Sequence, residues 1–233
     1  AFDNSLVKHY VSHNFLSSKP IWNKIIQSSC FKCYSNLDQS CDLFQTDFPD
    51  YLAFTLDEHF QKKTKSNYFS SFFSRNDNSS QLNSICEAAA FLTATSKALP
   101  QILLSDQFIL PLIHISKTSC GLSAIMSLKT LSNIAENSFE SSQLLLSMEL
   151  LPEIIKLALS QTDVQIKIHS MFLISSFAKF DHGYDVANSI FSFFYESSQI
   201  TLDLLNISLR AFSFLSQHHC IFFNQPIFID KLF

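Results

Sequence analysis

Between residues 120 and 218 apolar positions return every three or four residues, and short polar clusters interrupt that rhythm at near-regular intervals. In "LLPEIIKLALS", Leu151, Ile154, Ile155, Ala158 and Leu159 fall at i, i+3, i+4, i+7 and i+8, one face of an α-helix. Pro152 suits the first turn of that helix, where its missing N–H costs nothing. The polar run from Ser160 to Asp163 ends it, and Thr162 with Gln165 three residues on has the form of a capping box for the next helix. That next helix carries Ile168, Met171, Ile174 and Phe177 in steps of three. Ile125, Leu128, Leu131 and Ile134 form the same set one unit earlier. Asn206, Leu209, Phe212 and Leu215 form it one unit later, imperfectly at the first position.

The interruptions are themselves periodic. "TLSNIAENS" (130–138), "LISSFAKFD" (173–181) and "AFSFLSQHH" (211–219) align on positions 133, 176 and 214, roughly forty residues apart. Leu-Pro pairs at 110–111 and 151–152 keep the same interval, each preceded by a short apolar segment, "QILLSDQ" or "QLLLSME". A period of about 40–47 residues belongs to two- and three-helix solenoid units. Helices below about 12–15 residues are marginal alone, so such units must bury their apolar faces against neighbours.

At these residues a family resemblance becomes specific. "LSNIAENSFESSQLLLSMELLPEIIKLALSQTDVQIKIHSMFLISSFAKF" resembles an armadillo repeat: a long third helix ending in Leu-Ser-Asn-Ile-Ala, a short first helix, a second opening near Leu-Pro, then the next long helix. The resemblance covers about residues 85–225 and is strongest over 120–180. It implies an all-α fold, an α-solenoid of armadillo-like three-helix repeats, with the third helices lining a concave inner surface. The whole of 1–233 is expected to form one such domain, cut from a longer chain, with divergent N-terminal helices over 1–80 and clearer repeats over 81–233.

Within the N-terminal third, "FPDYLAFTLDEHFQ" (48–61) is amphipathic, with Tyr51, Leu52, Leu56 and Phe60 on overlapping turns. "SLVKHYVSHNFL" (5–16) and "PIWNKIIQSSCFKCYSNL" (20–37) predict two further helices. Residues 62–80 lack clean periodicity and predict an inter-helix loop, an insertion, or a short helix tucking in Tyr68, Phe69, Phe72 and Phe73.

Composition narrows the picture. Gly121 and Gly183 are the only glycines in 233 residues. Glycine-rich phosphate loops are thereby excluded, and all-β folds with their positive-φ turns are disfavoured. The formal net charge of −4 leaves no basic footprint for nucleic acid. No uninterrupted apolar run is long enough to predict a membrane-spanning helix. Six scattered cysteines are expected to be free thiols in a reducing compartment, the cytoplasm or nucleus.

Candidate chemistry is thin. His9, His13, Cys30 and Cys33 have the types and spacing of a tetrahedral zinc set, but the cysteines fall within an apolar helical run, where small buried thiols are the better reading. Neither G-x-S-x-G nor H-E-x-x-H occurs. The sequence therefore points to a non-catalytic protein without metal or cofactor.

The armadillo resemblance directs attention to the inner surface. Peptide-binding members of that family present Trp and Asn one turn apart on the third helix; the Asn amide bonds the ligand backbone and the Trp packs its side chains. Here Asn133 matches the Asn and Lys129 stands where Trp would be; the next units offer Phe172 with Ser176, and Arg210 with Phe214. A single matching amide cannot register an extended basic peptide in the manner of a nuclear-import adaptor. What the resemblance leaves is a groove of Lys129, Asn133, Asn137, Phe172, Ser176, Phe180, Arg210, Phe214 and His218. The aromatic and cationic mixture suits a protein segment with apolar anchors and some acidic character. The expected role is an interaction scaffold or adaptor. The alternative is a structural or autoinhibitory spacer in a larger protein.

Overall fold

The structure, a computed structural model of the chain, describes residues 22–24, 26, 46–66, 77–95, 98–196 and 202–219. Every regular element among them is helical: α1 (Phe48–Ser66), α2 (Asp77–Thr95), a 3-10 turn (Gln101–Leu104), α3 (Asp106–Thr118), α4 (Leu122–Asn137), α5 (Phe139–Ser147), α6 (Leu150–Ser160), α7 (Val164–Phe177), α8 (Tyr184–Glu196) and α9 (Leu202–His218). They form two compact units, residues 1–131 and 132–233, with the division inside α4.

In the first unit α1 is the central rod, in contact with α2, the 3-10 turn and α3. The amphipathic reading of 48–61 holds: Tyr51, Leu52 and Leu56 are fully buried, and Phe60 meets His114 edge-on at 5.3 Å. Trp22 and Ile26 pack into the same core; Trp22 donates through Nε1 to Asp47 at 3.0 Å and tilts against Phe48. The stretch 62–80 is less loop than its composition suggests. α1 continues to Ser66 and α2 begins at Asp77. The aromatic run from Tyr68 to Phe73, residues 5–16, and the zinc set His9, His13, Cys30 and Cys33 lie outside the described residues.

The second unit holds the best-defined repeat. α5, α6 and α7 run as short, medium and long helices, and α6 packs on both α5 and α7. In the preceding repeat the 3-10 turn stands where α5 does. After α7 a single helix, α8, leads to α9 among the described residues. Serine caps α5 in a reciprocal box: Ser141 N–H donates to Ser138 Oγ at 3.2 Å while Ser138 N–H donates to Ser141 Oγ at 3.0 Å.

Several local expectations need correction. The cap of α7 is Asp163, not Thr162: its carboxylate accepts from the Gln165 and Ile166 N–H groups at 2.9 and 3.3 Å. A carboxylate also complements the positive end of the helix, which a hydroxyl does not. Pro152 does fall in the first turn of α6, but Pro111 lies inside α3, which starts earlier at Asp106. Leu159 completes the apolar spacing of α6 yet is 66% exposed, because the buried stripe runs through Leu151, Ile154 and Ala158 and leaves Leu159 at its edge. On α9 Phe212 and Leu215 are buried as expected, but Asn206 and Leu209 face outward, and Leu204, Ile207 and Ala211 are buried instead. The sets expected on the two earlier long helices fare better: Leu128, Leu131 and Ile134 on α4 and Met171, Ile174 and Phe177 on α7 are buried.

Turn chemistry explains the scarcity of glycine. Gly121 (φ +65°) and Gly183 (φ +89°) each occupy the left-handed region just before a helix. Glu149 takes the same region at φ 56° between α5 and α6 without a glycine's freedom.

Candidate functional site

The face that the sequence singles out is built in the second unit by the end of α4, by α7 and by α9. α7 is the middle rod. Ile166, Ser170, Met171, Leu173, Ile174, Ser175, Ser176 and Phe177 are all buried, so it is wrapped on almost every side. Phe172 is the half-buried exception within its second half. The serines matter because they are small. Their hydroxyls bond back to their own helix, Ser170 to the Ile166 carbonyl at 2.8 Å and Ser175 to the Phe172 carbonyl at 2.7 Å.

Over this small-residue patch Arg210 of α9 reaches across α7 to α4. Its guanidinium meets Glu136 Oε1 at 2.6 Å and donates to Ser175 Oγ at 2.6 Å. It also lies over two rings, 4.3 Å from the centroid of Phe172 and 5.0 Å from that of Phe214. Glu136 Oε1 accepts a second bond from Ser176 Oγ at 2.5 Å, and its backbone carbonyl accepts from Lys179 Nζ at 2.6 Å. One acidic residue thus gathers a hydroxyl, a guanidinium and an ammonium. About a quarter of the Arg210 and Glu136 side chains stays exposed, so the pair is reachable from solvent. A charge-assisted hydrogen bond in such a place contributes about 1–3 kcal/mol before solvent screening reduces it.

A second cluster lies beside it, at the corner between α7 and α8. His182 meets Ser142 Oγ through Nε2 at 2.8 Å and Gln143 Oε1 through Nδ1 at 3.1 Å, and stacks on Phe139 at 4.9 Å. Phe180 meets both rings edge-on. Burial holds the His182 pKa below its usual 6.5, and the neighbouring Asp181 charge opposes that shift. The exposed Asp181 is itself lowered, chiefly because the Gly183 N–H donates to its carboxylate at 3.0 Å; slight desolvation opposes this and His219 assists at 3.1 Å. The end of α9 is fastened here, with His218 Nε2 3.3 Å from the Lys179 carbonyl.

Of the residues singled out from the sequence, Asn133, Asn137, Phe172, Phe180, Arg210 and Phe214 are half-buried, and His218 is exposed. Lys129 is half-buried on the part of α4 that belongs to the first unit. Ser176 differs: it is fully buried and engaged with Glu136, so it floors the face without presenting a surface. Arg210 differs too, because its charge is already matched from within the chain.

Three participants escaped the sequence reading: Glu136, Ser175 and Lys179. A signal for two of them existed. Glu136 and Lys179 stand three residues after the anchors Asn133 and Ser176, carrying opposite charge in consecutive repeats. Among the described residues no three His, Cys, Asp or Glu side chains are grouped to hold a metal ion, and no helix is long and apolar enough to cross a membrane.

No protein-family model matches the chain, and no curated protein matches it in sequence. Its structure is similar to that of a designed armadillo repeat protein in complex with the peptide (KR)4, with a TM-score of 0.54 at 13% sequence identity. The match covers 86% of this chain and 92% of the designed one. The fold is therefore that of an all-α, armadillo-like repeat solenoid.

Proposed function

We propose that this chain is a non-catalytic interaction scaffold or adaptor, holding a segment of a protein partner along the third-helix face formed by α4, α7 and α9. The observation that carries this reading is the meeting of α4, α7 and α9 at one face, where Arg210 and Ser176 both bond Glu136. Phe172 and Phe214 offer aromatic surface, and Lys179 and His218 border it. The similar designed protein was captured with a peptide, which supports the same use of the fold.

The partner's character follows from the charges. Lys179 bonds a backbone carbonyl and lies 5.4 Å from the Phe180 ring centroid; no carboxylate of the described residues pairs with it. A segment with one or two apolar anchors beside an acidic residue matches that surface, whereas a uniformly basic segment would meet like charge. The test is selection from a displayed peptide library with the whole chain as bait. Acidic–apolar segments should be enriched, and the combined Phe172→Ala, Phe214→Ala and Lys179→Ala variant should lose them with its helicity unchanged. Enrichment of basic segments, or binding that the variant leaves intact, would contradict the reading.

One observation favours a second reading, a structural spacer. The Arg210–Glu136 pair and the rings over it already satisfy much of the face from within. A wild-type chain that enriches nothing in the same selection would support it.

A further inference from the structure

Arg210 does not simply point out of α9. Its planar group has one carboxylate oxygen and one hydroxyl in its plane's reach, Glu136 Oε1 and Ser175 Oγ, both at 2.6 Å. Two aromatic rings lie against it at 4.3 and 5.0 Å. A carboxylate, a hydroxyl acceptor and π faces are the groups that recognise a guanidinium from any source: the fork geometry suits the oxygens and the delocalised cation suits the rings. Of the four receiving residues only Phe214, one turn further along, shares α9 with Arg210. Glu136 comes from α4, and Phe172 and Ser175 come from α7.

We propose that Glu136, Ser175, Phe172 and Phe214 form a guanidinium-binding site that Arg210 occupies from within the chain, making Arg210 the residue that turns arginine-bearing segments away. The inference rests on reading this face as a docking surface, and it specifies what that surface refuses. A side chain fixed to the same rod competes at an effective concentration on the order of millimolar or more, so an incoming arginine must expel a tethered rival before gaining any contact. Lys179, bonded to the Glu136 carbonyl at 2.6 Å, adds a repulsive charge at the same place. Discrimination by a built-in occupant is negative selection: it adds no contact to the accepted partner and removes the site from the rejected one.

Removing the occupant should open the site. Arg210→Ala leaves Glu136 bonded to Ser176 and the two rings in place, so a labelled (KR)4 peptide should bind this variant at least about tenfold tighter than wild type. Adding Glu136→Gln should abolish the gain. Guanidinium ion at low millimolar concentration should raise the thermal midpoint of Arg210→Ala relative to equal sodium chloride, and leave wild type unmoved. Should Arg210→Ala fail to fold, Arg210→Gln carries both measurements, since it keeps the aliphatic stem. A folded variant that gains neither peptide binding nor guanidinium stabilisation overturns the proposal. So does a gain that survives Glu136→Gln. Loss of acidic-segment binding in wild type would instead strike the docking reading, so the two failures are distinct.

Discussion

α7 and α9 are equivalent rods in consecutive repeats, yet they meet their surroundings differently. α7 is buried almost all round, and its equivalent positions 172 and 176 hold an aromatic and a small hydroxyl. On α9 positions 210 and 214 hold a cation and an aromatic, and Leu209 is 46% exposed. The contrast teaches how the face is assembled. The rod with neighbours on both flanks supplies the floor, small enough at Ser175 and Ser176 to be crossed. The rod packed chiefly on α7 and α8 among the described residues supplies the arm that crosses it.

The sharpest way to break this comparison is through the apolar positions. Leu173→Ala or Ile174→Ala in α7 should cost about 2–5 kcal/mol, as fully enclosed side chains leave cavities. Leu209→Ala in α9 should stay within about 0.5 kcal/mol. Equal losses in urea unfolding would show that the two rods are enclosed alike.

The crossing arm gives a smaller effect. Glu136→Gln should cost about 1–3 kcal/mol, less whatever solvent screening removes at a quarter-exposed site. A double-mutant cycle with Arg210→Ala should return a positive coupling; a coupling of zero would reduce the arm to a surface ion pair.

Acidification sharpens the contrast at the α7–α8 corner. The folded-state pKa of His182 is below its unfolded value near 6.5, so the folded protein binds fewer protons there than the unfolded chain does. His182 therefore withholds no stability above about pH 6.5 and progressively lowers it as pH falls from that point toward the folded pKa. His182→Gln should flatten that part of the urea-midpoint profile. A profile identical to wild type would mean that other groups set it.

The smallest perturbation is chemical labelling. Cys86 in the first unit is buried, its thiol pushed up to about 12 by desolvation despite a 3.5 Å bond from Ser127, whereas Cys120 is exposed. A thiol reagent followed by mass mapping should modify Cys120 in the native state and Cys86 only on unfolding. Early modification of Cys86 would reveal local opening of α2.

These outcomes also bear on how much a single chain discloses. Helix content, the forty-residue period and the core of α4 and α7 were legible, because a buried stripe demands a 3.6-residue rhythm wherever both flanks are covered. The rhythm misled at Leu159 and Leu209, which keep the apolar spacing yet lie beside the buried stripe rather than in it. The site was half legible. Phe172, Arg210 and Phe214 were found because position in the repeat places them. Glu136 was not, since a partly exposed acid on a long helix looks like any solvated residue until a cation two rods away is known to reach it.

The hydroxyl-bearing interior carries a consequence beyond this chain. All the buried polar residues among those described are serines and threonines, and Thr55, Thr93, Ser116, Thr130 and Ser170 each donate to a carbonyl of their own helix. Donors satisfied at home ask nothing of the rod opposite, so each such place tolerates exchange among alanine, serine and threonine while rejecting anything bulkier. Descendants of one ancestor can then swap most of their letters without moving a rod, and kinship fades from the text long before it fades from the shape.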